Sequence, residues 1–174
     1  MNYLYKFCIL LCFFLAEGNA QHTMISIEAE LFPEKSILDI QQTITYYNNS
    51  KDSIDTIVLQ HWTNSYTTES DLLQRELEAH KKTLFLAKDT DKGYATIGGI
   101  SVNNTATPYS YYKGKKDLLA IALTQKLAPK EAIKMHISYQ TKLPSAVFSS
   151  YGKTSQGNFN LKYWHLVPAV YQQH

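Results

Sequence analysis

The sequence predicts a mainly all-β domain, either an antiparallel sandwich or a saddle-like sheet, with one short helix near residues 69–82. Apolar and polar residues alternate with a period of two along several segments, turn residues separate these segments, and 13 Tyr and 7 Phe favour strands. A chain of 174 residues has room for one ordinary domain. Its net charge of +2 provides no strongly basic face, so no nucleic-acid partner is expected.

The first predicted strands follow one another over short turns. Alternation over residues 25–31 and 38–46 predicts two half-buried strands, separated by a turn at Pro33. A third strand is predicted over residues 53–60, after a polar turn at 48–52. Because such short connections do not cross between parallel strands, we expect these three strands to form an antiparallel meander.

The middle of the sequence interrupts the alternation. Thr68 lies three residues before Asp71, a spacing typical of a helix start, and Leu73 and Leu77 follow at helical spacing. These positions predict the single short helix over about residues 69–82.

The second half of the chain returns to strands. Irregular strands are expected over residues 93–116, with a bulge or a close backbone approach at Gly98 and Gly99. A strand signal over residues 117–125, a proline-containing turn and clean alternation over 133–143 together predict a hairpin.

A secretory signal peptide is predicted at residues 1–20. Lys6 supplies the positive charge, residues 7–15 form a run of nine apolar side chains, and small residues end at Ala20, where cleavage is expected. A membrane anchor is the weaker interpretation, because a spanning helix needs about 20 apolar residues. The mature domain is then 21–174, exported to the periplasm, the cell surface or the medium, with no membrane span after cleavage.

Motifs for catalysis and metal binding are missing from the sequence. Cys8 and Cys12, the only cysteines, lie in the predicted signal peptide, so neither a disulfide nor a thiolate-bound metal is expected in the domain. None of the six histidines is followed by Glu, so the two-histidine helix of zinc peptidases is missing. His61 and His136 are expected in core or cross-strand contacts. We therefore predict no catalytic, cofactor-binding or metal-binding residue.

Two further features have more than one interpretation. NNS at 48–50 and NNT at 103–105 match the acceptor sequence for N-glycosylation and equally fit polar turns. Tyr109, Tyr111 and Tyr112 could stack on a sugar or a peptide, or could be ordinary exposed strand tyrosines. The second interpretation is favoured in both cases.

The order of several segments is more specific than any single motif. ITYYNNS at 44–50 and IVLQHWTNSY at 57–66 are followed by LAPKE at 127–131, by an alternating strand that ends in KLP, and by YWHLVPAVY at 163–171. This order resembles the N-terminal β-domain of secreted bacterial members of the aminopeptidase N family of zinc metallopeptidases, the gluzincins. The resemblance spans residues 24–171.

The resemblance implies a saddle-like, mostly antiparallel domain that precedes a thermolysin-like catalytic domain in the same polypeptide. That catalytic domain would carry the His-Glu-x-x-His helix and the zinc, which polarises the scissile carbonyl and activates water, and it would act on peptides. No residue of this chain matches the family's catalytic motifs. The chain alone is therefore expected not to be an enzyme, although the parent protein would be a zinc metallopeptidase.

Two functions remain open at this point. One is a non-catalytic domain that covers the catalytic cleft, and the other is a free-standing secreted β-sandwich that binds a peptide or glycan through its tyrosines. For the first, Trp164, Pro168, Val170 and Tyr171 form the candidate domain interface, because they place apolar area at a chain end, where polar residues are usual. Pro168 favours an edge strand or a linker. Burial of Trp164 against the domain's own sheet is the alternative.

Overall fold

The computed structural model describes residues 22–67, 87–148 and 150–170, which form a mainly β structure, as predicted. The predicted signal peptide at 1–20 and the predicted helix at 69–82 lie outside the described residues. Short 3-10 turns cover Trp62–Tyr66, Asp89–Asp91 and Tyr112–Gly114. The strands are β1 (Met24–Phe32), β2 (Ile37–Tyr47), β3 (Ile54–Gln60), β4 (Tyr94–Val102), β5 (Thr105–Ala106), β6 (Tyr109–Tyr111), β7 (Leu118–Leu127), β8 (Ala132–Lys142), β9 (Gly152–Lys153), β10 (Phe159–Asn160) and β11 (Val167–Pro168).

The long strands form two antiparallel sheets that pack face to face. The first sheet has the order β1-β2-β8-β4-β5 and the second has the order β11-β3-β7-β6, while β9 and β10 form a separate pair. Apolar side chains from β2 and β8 meet those from β3 and β7 in one core. The sandwich predicted from the alternation is therefore the observed architecture.

The predicted meander is wrong at its third strand. β1 and β2 pair as expected, but β3 pairs with β7 and β11 in the other sheet. The turn at 48–52 therefore carries the chain across the sandwich. Asn48 fixes this crossing, because its amide donates to the carbonyl oxygens of Asp52 at 2.8 Å and Leu127 at 3.0 Å.

The predicted hairpin of the second half is also wrong. β7 lies in the second sheet, whereas β8 pairs with β2 and β4 in the first. The turn between β7 and β8 is bonded to the turn after β2: the Asn48 N–H donates to the Glu131 carbonyl at 2.9 Å, and the Lys130 N–H donates to the Asn48 carbonyl at 2.9 Å. Both connections between the sheets thus meet in one corner. The turn sequences alone do not distinguish this arrangement from two hairpins.

The predicted irregularity at the glycine pair is confirmed. The pairing of β4 with β8 shifts register between Ile97 and Gly99, and a Cβ on Gly98 would lie 3.1 Å from the Ser138 hydroxyl. The bulge and the close approach of the backbone therefore occur together, and both favour glycine.

Candidate domain interface at the C-terminal edge

The last described segment of the chain is held inside the sandwich by a buried hydrogen-bond network. Gln42 Nε2 donates to the Leu166 carbonyl over 2.7 Å, and the Leu166 N–H donates to Gln42 Oε1 and to the Tyr139 hydroxyl, each at 3.2 Å. The Tyr139 hydroxyl donates to Gln42 Oε1 at 2.6 Å. All three residues are no more than 2% exposed. Burial raises the pKa of Tyr139, which keeps its hydroxyl protonated as a donor.

Directly after Leu166, the segment becomes an edge strand. Val167 lies opposite Gln60 and Pro168 opposite Leu59, and the Ala169 N–H donates to the Val58 carbonyl at 2.8 Å. β11 is the outermost strand of its sheet. The predicted edge position of Pro168 is confirmed. At an edge, proline can be accommodated because its missing N–H does not remove a hydrogen bond between two inner strands.

Aromatic rings precede β11 on the surface. Tyr163 is 56% exposed and stacks on Trp62, with the ring centroids 5.6 Å apart. Trp164 is half-buried against the core cluster and contacts the His165 ring at 5.4 Å. Trp164 therefore packs partly against its own domain, as in the alternative considered for it, and Tyr163 is the more open of the two.

Val170 is the most exposed of the predicted interface residues, with 82% of its surface accessible. Tyr171 lies outside the described residues. Leu161, at 41% exposure, and Tyr163 add apolar area that the sequence analysis did not assign to an interface. We call residues 161–170 the C-terminal edge, and its contact with a further domain stays a prediction.

His61 is a core residue. It is 2% exposed and meets the Tyr139 ring edge to face, with the centroids 5.8 Å apart. Among the described residues neither ring nitrogen has a hydrogen-bond partner, and burial lowers the pKa of His61 to about 4. His136 makes a cross-strand contact, with its Nδ1 at 2.9 Å from the Thr43 hydroxyl. Both placements agree with the sequence analysis.

The described residues do not supply a metal site. No group of three or more His, Cys, Asp or Glu side chains that could hold a metal ion occurs in 22–67, 87–148 or 150–170.

The two acceptor sequences for glycosylation lie in turns. Asn48 is fully buried and its Oδ1 accepts from the Ser50 N–H and hydroxyl, so its side chain is a structural element of the corner. Asn103 is exposed, and its Oδ1 accepts from the Lys134 N–H at 3.1 Å. The turn interpretation holds for both.

A cleft of about 540 Å³ lies beside the end of β8. Lys142, Lys153 and Asp91 lie in its lining together with several Ser and Thr residues. Burial lowers the pKa of Lys142, the nearby charge of Lys153 lowers it further, and Asp91 opposes the shift. The cleft is a basic, hydroxyl-rich surface.

Comparisons with known proteins give a structural likeness but no match by sequence. No family model matches the chain, and no curated protein matches it. Among solved structures, the chain is similar to a mutant of a two-domain M1 zinc metallopeptidase in complex with L-tryptophan, with 13% identity and a TM-score of 0.42 over 71% of this chain. The match covers 20% of that metallopeptidase, so the chain spans about a fifth of its length. No helix in the described part of the chain is long and apolar enough to cross a membrane.

Proposed function

We propose that this chain is the non-catalytic N-terminal β-domain of an exported aminopeptidase-like zinc metallopeptidase, where it covers the catalytic cleft and admits short peptides. The best support comes from the segment YWHLVPAVY, which the resemblance places at the end of such a domain. Gln42 and Tyr139 anchor this segment by hydrogen bonds, and apolar side chains of the segment remain exposed at the edge. A segment fixed in this way can present a rigid surface to a following domain.

The physical basis of docking is the apolar area of the C-terminal edge. Leu161, Tyr163 and Val170 are 41%, 56% and 82% exposed. Covering such side chains stabilises an interface by roughly 25 cal/mol per Å² of apolar surface. Because Leu166 is already anchored, little backbone entropy is lost when the edge is covered.

The zinc and the catalytic base belong, in this proposal, to the following domain. The described part of this chain has no cluster of metal-binding side chains, and its role is to exclude large substrates and water. We expect the purified chain neither to retain stoichiometric zinc after dialysis nor to hydrolyse aminoacyl amides. Zinc-dependent turnover that survives repurification would contradict this.

The most direct experiment reads the coding sequence past the codon for His174. A continuing frame that encodes His-Glu-x-x-His is the expected result, and a frame without that motif, or a stop codon in the genome at this position, would count against the proposal. With the longer protein in hand, removal of residues 21–170 should increase turnover of long peptides relative to dipeptides. An unchanged ratio would argue that this domain does not cover the cleft.

Export is part of the proposal and has its own measurement. Cleavage after Ala20 predicts that the protein recovered outside the cytoplasm begins at Gln21. An intact residue 1 in the exported protein would contradict cleavage, and retention in the cytoplasm would contradict export.

A free-standing binding domain is the second candidate, favoured by the tyrosines at the other edge of the second sheet. Tyr109 and Tyr112 are 40% and 38% exposed, and the Lys116 ammonium lies 4.9 Å from the ring centroid of Tyr111. Such a surface can stack on a sugar ring or a peptide plane. Saturable quenching of tyrosine fluorescence by an oligosaccharide or a short peptide, lost in Tyr109→Ser, would favour this function.

A further inference from the structure

No strand among the described residues pairs with the outer edge of the first strand, β1. β1 has nine residues and pairs with β2 along its whole length, from Met24 opposite Thr45 to Phe32 opposite Ile37, without a shift in register. It is the outermost strand of the five-stranded sheet, and its sequence contains no Pro, Gly or Lys. Bulges, prolines and charged side chains, lysine above all, are the usual devices that prevent another strand from adding to an edge. β1 has no bulge, proline or lysine, and its charged side chains are the acidic Glu28 and Glu30.

The core-facing side of β1 extends beyond the second sheet. Ile25, Ile27, Ala29 and Leu31 lie opposite Ile44, Gln42, Ile40 and Leu38 of β2 and so share their face. The β2 residues are no more than 3% exposed, because the second sheet and Leu166 cover them. On β1, by contrast, Ile25 is 37% exposed, Ala29 is exposed, and Ile27 and Leu31 are half-buried. An apolar row therefore runs along the open edge.

The outer side of the same edge is acidic. Glu28 and Glu30 are exposed, and Glu30 lies directly opposite Asp39 of β2. Neither glutamate has an ion-pair partner within 4.0 Å among the described residues. Like charges directly opposite each other in a sheet are destabilising, and a cation on an added strand would relieve this.

A second copy of the chain fits this edge poorly. If two β1 strands pair antiparallel over their whole length, Glu28 of one copy lies opposite Glu28 of the other, and Glu30 lies diagonal to it. The charge pattern favours a partner strand with basic residues on the outer side.

We propose that β1 is a docking edge for an extended segment of a different polypeptide, which adds a sixth strand and alternates apolar residues with Lys or Arg. Backbone N–H and C=O groups of β1 supply the affinity. The apolar row of β1 receives the apolar side chains, and Glu28 and Glu30 pair with the basic ones. The proposal does not depend on the aminopeptidase-like function and can fail or succeed separately.

The test uses the purified chain and labelled nine-residue peptides, with binding followed by fluorescence anisotropy. A peptide alternating Val with Lys should bind about tenfold more tightly than one alternating Val with Glu, which corresponds to two cross-strand charge pairs. Two further peptides carry N-methyl groups on alternate nitrogens, so that one peptide is blocked along one edge and the other along the opposite edge. The peptide blocked along the edge that faces β1 should not bind, and the other should still bind. Hydrogen exchange should slow on residues 24–32 when the Val/Lys peptide binds.

Charge reversal provides the matched variant. Glu28→Lys combined with Glu30→Lys should invert the preference between the two peptides, whereas Glu34→Lys, an exposed change in the turn after β1, should leave it unchanged. Equal affinity for both peptides would show that Glu28 and Glu30 do not select the partner, and equal affinity for all N-methylated forms would show electrostatic adhesion without strand pairing. Either result would overturn the proposal. A concentration-dependent dimer in sedimentation that protects residues 24–32 would also overturn it, in favour of a second copy.

Discussion

Gln42 shows how one polar residue in an apolar row decides where a distant segment lies. It occupies a core-facing position between Ile40 and Ile44, and a buried amide without partners costs about 1–3 kcal/mol. Within the described part of the chain, its amide is satisfied by Leu166 and Tyr139, which are 124 and 97 residues away in sequence. The requirement to pair this amide therefore selects the position of the C-terminal edge.

Gln42→Leu keeps the approximate volume and removes both hydrogen-bonding groups. The Leu166 carbonyl then has no donor, and we expect a loss of about 1–3 kcal/mol in the free energy of unfolding. Urea denaturation measures this loss, and hydrogen exchange should quicken at Leu166 and Ala169. Gln140→Leu is the control, because that amide lies on the exposed side of β8 and donates to Asp39. An equal loss in both variants would contradict the role assigned to Gln42.

His61 makes stability depend on pH in mildly acid solution. Its pKa falls from 6.5 to about 4 on folding because burial disfavours the charged ring. The folded state therefore prefers the neutral form, so this contribution is complete above pH 6.5 and is lost as pH falls toward 4. The full loss is about 3 kcal/mol, from the shift in pKa.

The measurement compares the free energy of unfolding at pH 7 and at pH 4.5 in the wild type and in His61→Phe. The variant should lose less stability than the wild type between these pH values, while His22→Phe, at an exposed site, should behave as the wild type does. The same acid loss in His61→Phe would assign the effect to other groups.

Among the elements, the short strand β9 depends on the glycine with which it begins. Gly152 has φ +111°, and a Cβ there would overlap the Pro144 carbonyl, to which the Lys153 N–H also donates at 2.9 Å. The nearest atom is a backbone carbonyl oxygen, so a change of side-chain rotamer cannot relieve the overlap.

Gly152→Ala should therefore lower the free energy of unfolding by at least about 2 kcal/mol more than Gly157→Ala. Gly157 is a matched control, since its φ of +86° is also positive but no atom lies within 4 Å of the added Cβ. The difference between the two variants isolates the overlap from the strain of positive φ. Equal losses in thermal or urea unfolding would contradict the close approach to Pro144.

At the scale of the whole molecule, Val170 separates an interface role from a core role. Its 82% exposure predicts that Val170→Ser changes the free energy of unfolding by less than about 0.5 kcal/mol and improves solubility. Leu166→Ala, at a buried position in the same segment, should cost about 2–5 kcal/mol. Lost stability in Val170→Ser would place this residue in the domain's own core and contradict docking at the C-terminal edge.

The sequence by itself determined the β class, the bounds of the long strands to within a few residues, the bulge at Gly98, the buried state of His61 and the edge position of Pro168. Each of these depends on local information: alternation, a missing Cβ or a missing N–H. Alternation states which side of a strand faces the core and does not state which strand lies beside it.

Only the tertiary structure decided which strands pair and what the core contains. The sequences of the turns at 48–52 and 128–131 are compatible with hairpins. In the structure both turns instead connect the two sheets, and hydrogen bonds of Asn48 hold them together in one corner. Gln42 and Tyr139 occupy core-facing positions in the alternating patterns of β2 and β8, and their network with Leu166 links segments up to 124 residues apart. The exposure of the apolar row on β1 likewise depends on how far the second sheet extends over the first, and no local sequence pattern indicates that extent.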